Sequence, residues 1–131
     1  MATLEEYFRT EARDSLAAME AALEGDTPES DAVYRAARTL RGTAQLARQD
    51  HVFRAASALE AAAKALLGGE LAWDTEQRAA VQGSIEDLRA LIFGAEGDEQ
   101  QEAIVADVEQ RWSDAAPAVQ PVETTERPSD E

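Results

Sequence analysis

Leu4, Phe8, Leu16, Met19 and Leu23, with Ala12 filling the gap, recur at intervals of three and four. That spacing puts them on one side of an α-helix. The pattern returns in each later segment. Over about 28 to 47 the stripe is Val33, Ala37, Leu40, Ala44 and Ala47; over a third segment it is Phe53, Ala56, Leu59, Ala63 and Leu66; over a fourth it is Val81, Ile85, Leu88 and Ile92. A chain that repeats one helical stripe folds by turning those stripes towards one another. Abundant alanine and only 5% aromatic residues agree with helix over strand.

Punctuation separates the segments. In "EGDTP", Gly25 is a candidate C-terminal cap of the first helix, and Pro28 suits the first turn of the second. Asp50 is placed to cap the third helix, Gly68 and Gly69 end it, and the fourth begins near Asp74 or Thr75. These short connections predict an all-α, up-down four-helix bundle over residues 1–95. After "FGAEGDE", a fifth helix over about 98 to 114 carries Ile104, Val105, Val108 and Trp112 at helical spacing, and residues 96–115 are read as an accessory helix that docks on the bundle or projects from it. The final stretch, "APAVQPVETTERPSDE" over 116–131, mixes proline with acids and has little to bury, which reads as a disordered linker or tail.

Charge and composition exclude several function classes. At 131 residues the chain suits one domain that buries roughly two-thirds of its unfolded surface. Its net charge of −15 opposes nucleic acid and anionic lipid as partners. The excess is uneven: from Glu96 onward eleven acids face only Arg111 and Arg127. Without cysteine there is no disulfide, thiolate nucleophile or thiolate metal site, and His51 is the one histidine. No metal-ligand spacing or glycine-rich phosphate loop occurs, so no metal and no cofactor is expected. No apolar run approaches 18 residues, and "MATLEEYF" lacks the features of a secretory signal, so a cytoplasmic location without a membrane span is expected. Glu5/Glu6 and Glu86/Asp87 are sequence neighbours that diverge on a helix, and are read as solvated faces. Trp73 and Trp112 are read as packing anchors.

One stretch breaks this uniformity, "AARTLRGTAQLA" from Ala36 to Ala47. At about 100° per residue, Arg38 lies about 160° around the helix from Leu40 and faces water. Tyr34, Arg41, Gly42 and Gln45 share that outward face, with Arg35 and Arg48 at its edge. Gly42 is expensive there, since glycine inside a helix costs roughly 1 kcal/mol relative to alanine. Its presence implies that something approaches the backbone closely.

"ARTLRGTA" resembles the A-H-T-L-K-G-S-A signature of histidine phosphotransfer (HPt) domains: Ala37, Thr39, Leu40, Gly42 and Ala44 match, Arg41 stands for the lysine, and Arg38 for the phosphorylated histidine. "YFRTEARDSLAAMEAAL" is similar to the family's first helix and "HVFRAASALE" to its third, so residues 4 to 93 are covered. The fifth helix adds a likeness to the N-terminal HPt module of chemotaxis-type kinases. The resemblance implies a bundle that presents one residue of its second helix to the acidic active site of a response-regulator receiver domain, or works with a histidine kinase. It also implies a phosphoryl group carried on that residue, and here the chain departs from the pattern. Arginine, far more basic than imidazole, must lose a proton before it is nucleophilic, which costs about 8 kcal/mol at pH 7, or about six powers of ten in rate. The expectation is a non-enzymatic module that grips a partner in two-component or chemotaxis-like signalling without carrying phosphate, as a monomer or weak dimer. Two other readings are open: a dimerising bundle paired through the fifth helix, and an active carrier using His51.

Overall fold

The structure, a computed structural model, describes residues 3–115. Five helices follow one another: α1 (Leu4–Ala22), α2 (Ser30–Leu46), α3 (Asp50–Gly68), α4 (Thr75–Phe93) and α5 (Asp98–Ala115). No strand occurs among the described residues. The tail expected over 116–131 lies outside them.

Local chemistry sets the ends. Thr3 and Glu6 form a reciprocal capping box at the start of α1, with bonds of 3.0 and 2.8 Å, an arrangement worth about 1 kcal/mol. The Asp74 carboxylate caps α4 by accepting the Gln77 amide at 2.7 Å. Three boundary expectations need correction. Pro28 lies outside α2, which starts at Ser30 after an N-cap at Glu29. Asp50 is the first residue of α3 and Gln49 holds the N-cap without a side-chain bond, so the Asp50 carboxylate lies in the first turn, beside the positive end of the helix dipole, and does not cap the helix. Gly25 (φ +92°) lies in the loop, two residues beyond the C-cap Leu23. The carbonyls of Leu23, Gly25 and Asp26 accept instead from the Arg78 guanidinium of α4, at 2.6, 3.2 and 3.1 Å. A distant arginine thereby satisfies groups a helix end leaves open.

The bundle closes because α1 packs on both α2 and α4, while α3 packs on α2 and α4. Arg89 of α4 pairs with Glu20 of α1 at 2.7 Å, and the Arg13 guanidinium lies 5.1 Å from the Phe93 ring centre. These contacts run in opposite senses along the two helices, so α1 and α4 are antiparallel. Val33, Ala37, Leu40, Ala44, Ala56, Leu59, Val81 and Leu88 are buried as their spacing predicts. On α3, Val52, Ala55, Ala62 and Ala65 are buried as well, because that helix is covered from three sides, by α2, α4 and α5.

The fifth helix docks. Val105, Val108 and Trp112 share the one hydrophobic core, with Trp112 only 1% exposed. The buried Ser84 hydroxyl of α4 accepts the Trp112 indole N–H at 3.0 Å and an Arg111 N–H at 3.1 Å. Arg111 also pairs with Asp87 at 2.9 Å. A second clasp joins α5 to α3: Arg54 reaches Glu102 at 2.8 Å and Glu109 at 2.9 Å. Those hydrogen bonds hold the Arg54 guanidinium above its ordinary range. The Arg54 hydrogen bond, opposed by desolvation and aided by the charges of Arg54 and His51, holds the Glu102 carboxyl below the usual one. The apolar stripe proposed to pair two chains is therefore buried within one.

Candidate functional site

The outward face of α2 follows from its buried one. Val33, Ala37, Leu40 and Ala44 are completely buried, so the opposite side holds Arg38, which is exposed. Arg38 has no hydrogen bond or ion pair among the described residues. Gln45, two turns on, is exposed, and Tyr34, one turn back, is half-buried with its ring against the core.

The arginines grouped with Arg38 by sequence are not equivalent. Arg35 is neutralised locally, its Nε 2.7 Å from Asp31 one turn earlier. Arg41 leans onto α3, where Nε donates to one oxygen of Glu60 and Nη2 to the other. That pair is sheltered, the side chains being 32% and 17% exposed. Arg41, grouped with Arg38 on the outward face by sequence, is paired: its rotation of about −60° from Arg38 turns it onto α3, where Glu60 lies. Arg48 has no side-chain partner among the described residues. It occupies the left-handed position (φ +59°) that ends α2, where Arg48 N–H meets the Gln45 carbonyl at 3.2 Å and Gln49 N–H the Ala44 carbonyl at 2.8 Å. This is the Schellman arrangement, usually built with glycine. The cation meets the negative end of the helix dipole, which offsets part of the strain.

A Cβ built on Gly42 meets nothing within 4 Å. Among the described residues nothing therefore requires glycine there. Around the helix from Arg38, Gly42 is displaced by about 40° and Leu46 by about 80° in the same sense. Leu46, absent from the sequence-based set, is 76% exposed. Glu11, Asp14, Ser15 and Ala18 of α1 face Ala32, Arg35, Ala36 and Thr39 of α2 across an open groove. Continuing both stripes towards the start of α1 and the end of α2 brings the exposed Leu4 and Tyr7 to the level of Leu46 and Gly42. The face thus combines a free cation, an open patch of backbone and exposed apolar side chains. Glu60 of α3 also escaped the sequence reading, because its contact with Arg41 depends on how α3 is rotated against α2.

His51 is elsewhere. It sits in the first turn of α3, 19% exposed, with Nε2 3.3 Å from Asp98 and 3.5 Å from Glu102 of α5. Two carboxylates beside the ring nitrogen repel an incoming phosphoryl donor. No group of three or more His, Cys, Asp or Glu among the described residues is arranged to hold a metal ion. No helix among them is long and apolar enough to cross a membrane.

Basic side chains elsewhere are engaged. Arg9, Arg54, Arg89 and Arg111 pair with carboxylates, Arg78 holds carbonyls and Arg13 covers a ring. Among the described residues, Arg38, Arg48 and Lys64 are without such partners.

Comparison with known families adds one match: a family model described as Hpt domain aligns with residues 4–91, which takes in α1 to α3 and nearly all of α4 and leaves α5 outside. No curated protein and no solved structure matches the chain.

Proposed function

We propose that this chain, which belongs to the Hpt domain family and so takes part in two-component phosphorelay signalling, is a docking module that does not itself carry phosphate. Hpt domains are phosphotransfer modules that interact with kinases and receiver domains and are not catalysts in their own right. The finer reading rests on one observation. The exposed side chain at the centre of the α2 face, without a partner among the described residues, is the Arg38 guanidinium, a permanent cation with five donors and no lone pair to attack phosphorus. Such a group binds acidic pockets and phosphoryl oxygens, the chemistry of a receiver's active site. The open backbone at Gly42 and the exposed Leu46 supply close approach and apolar contact beside it. The setting is cytoplasmic and chemotaxis-like or otherwise two-component, and the partner is a receiver.

The test has two arms. Incubated with kinases and radiolabelled phosphodonor, the chain is expected to take up no acid-labile phosphate, and His51→Ala to change nothing. Immobilised, it is expected to retain a receiver, with capture lost in Arg38→Ala. Label that appears on the wild type and disappears in His51→Ala would overturn the reading in favour of a working carrier.

A further inference from the structure

We propose that Arg38 and Lys64 form a two-armed clamp for a phosphoryl group, so that the module distinguishes the phosphorylated receiver from the unphosphorylated one. The inference rests on the docking reading above and adds the chemical state of the partner.

The Arg41 to Glu60 pair fixes the register of α2 against α3. The two helices are joined by the short connection 47–49 and run antiparallel. One turn back from Arg41 is Arg38, and one turn forward from Glu60 is Lys64. Both steps move in the same direction along the interface by about 5 Å. Arg38 and Lys64 therefore share the next layer, and packed helices lie about 8–10 Å apart, a gap that two long cationic side chains bridge around a common anion. Both side chains are exposed, and neither has a partner among the described residues.

The carboxylate best placed to cancel Lys64 is Glu60, four residues before it, the spacing and order that favour a helical ion pair. Arg41 prevents this by engaging both Glu60 oxygens. Its part is to hold the acid aside, a positioning role that keeps the neighbouring charges uncompensated.

Geometry also selects the ligand. One arginine satisfies a planar carboxylate by itself in a two-pronged contact. Two cations from separate helices suit a group with three acceptor oxygens and additional negative charge, as phosphorylation of the receiver's aspartate creates.

The experiment uses the full chain and a receiver that it captures, prepared bare with magnesium or carrying beryllofluoride as the phosphoryl mimic. Dissociation constants are measured for both forms. The beryllofluoride form is expected to bind about 10- to 100-fold more tightly, the range of one or two charge-assisted hydrogen bonds. Lys64→Ala and Arg41→Ala are each expected to bring that ratio towards one, and Arg41→Ala combined with Glu60→Gln to restore it. Equal affinity for the two forms overturns the clamp and leaves docking intact. Failure of the combined variant to recover the ratio overturns the role given to Arg41, and a chain that binds neither form overturns both readings.

Discussion

Replacing Gly42 by alanine separates what the bundle needs from what its partner needs. Beyond the backbone of its own helical turns, the added methyl group meets no atom of the described residues inside 4 Å, so the substitution introduces no clash. It removes the entropic penalty of glycine in a helix, a gain of about 1 kcal/mol. In urea the midpoint should rise by about 0.5 to 1 M at unchanged slope, and the thermal midpoint by about 4 °C. The same methyl group projects outward between Arg38 and Leu46, at the centre of the face assigned to docking. It should hold a partner's surface away from the helix backbone and lower receiver affinity by about tenfold, about 1.4 kcal/mol. Paired urea titrations and binding isotherms on wild type and Gly42→Ala make the comparison. A variant that gains stability and keeps full affinity would refute the claim that glycine is retained for close approach. A variant that loses stability would refute the assignment of open space above α2.

Two further outcomes concern α5. Trp112→Ala removes a side chain that is 1% exposed and leaves Ser84 without its indole donor; a loss of about 3 to 5 kcal/mol is expected in urea unfolding, and a loss below 1 would mean α5 is peripheral to the core. The clasp at Glu102 gives a pH dependence. Its carboxyl is held below the ordinary value chiefly by the Arg54 hydrogen bond, so its contribution is present above the unfolded value of about 4.3 and is lost as pH falls through the folded one. Glu102→Gln should therefore be less stable than wild type at pH 7, with the gap closing below about pH 4. A gap that persists at pH 3 would assign the difference to packing.

Helices were legible because their signal is local. The stripe from Val33 to Ala44 marked both the buried side of α2 and, by subtraction, the outward position of Arg38. What sequence could not convey depends on how two helices are rotated against each other. Glu60 lies 19 residues from Arg41, and nothing in either segment announces that they meet. The wide burial of α3 was hidden for a related reason: with alanines on nearly every side, the contrast between an inner and an outer face is weak, and coverage by α5 is a tertiary fact. Leu46 was overlooked because it lies off the buried stripe, yet its exposure is what makes it informative. Asp50 failed as a cap because the preceding turn already places Gln49 at the boundary.

Pairing, more than charge, distinguishes the α2 face. With 27 acids to 12 bases, a basic side chain has carboxylates within reach almost anywhere on this surface. Most of them use that surplus to tie helices together, as Arg54, Arg89 and Arg111 do. Among the described residues Arg38 and Lys64 stand unpaired, while Arg41 between α2 and α3 has engaged Glu60. Close by, a helix-interior position that favours alanine holds glycine, and a left-handed position that favours glycine holds arginine. Departures from local preference that no internal contact requires collect where a protein answers to something outside itself. Two such departures, at Gly42 and Arg48, lie within two turns of one another, and with the exposed Arg38 they support a docking face over a solvated one, because solvation demands neither an open backbone nor a withheld counter-ion.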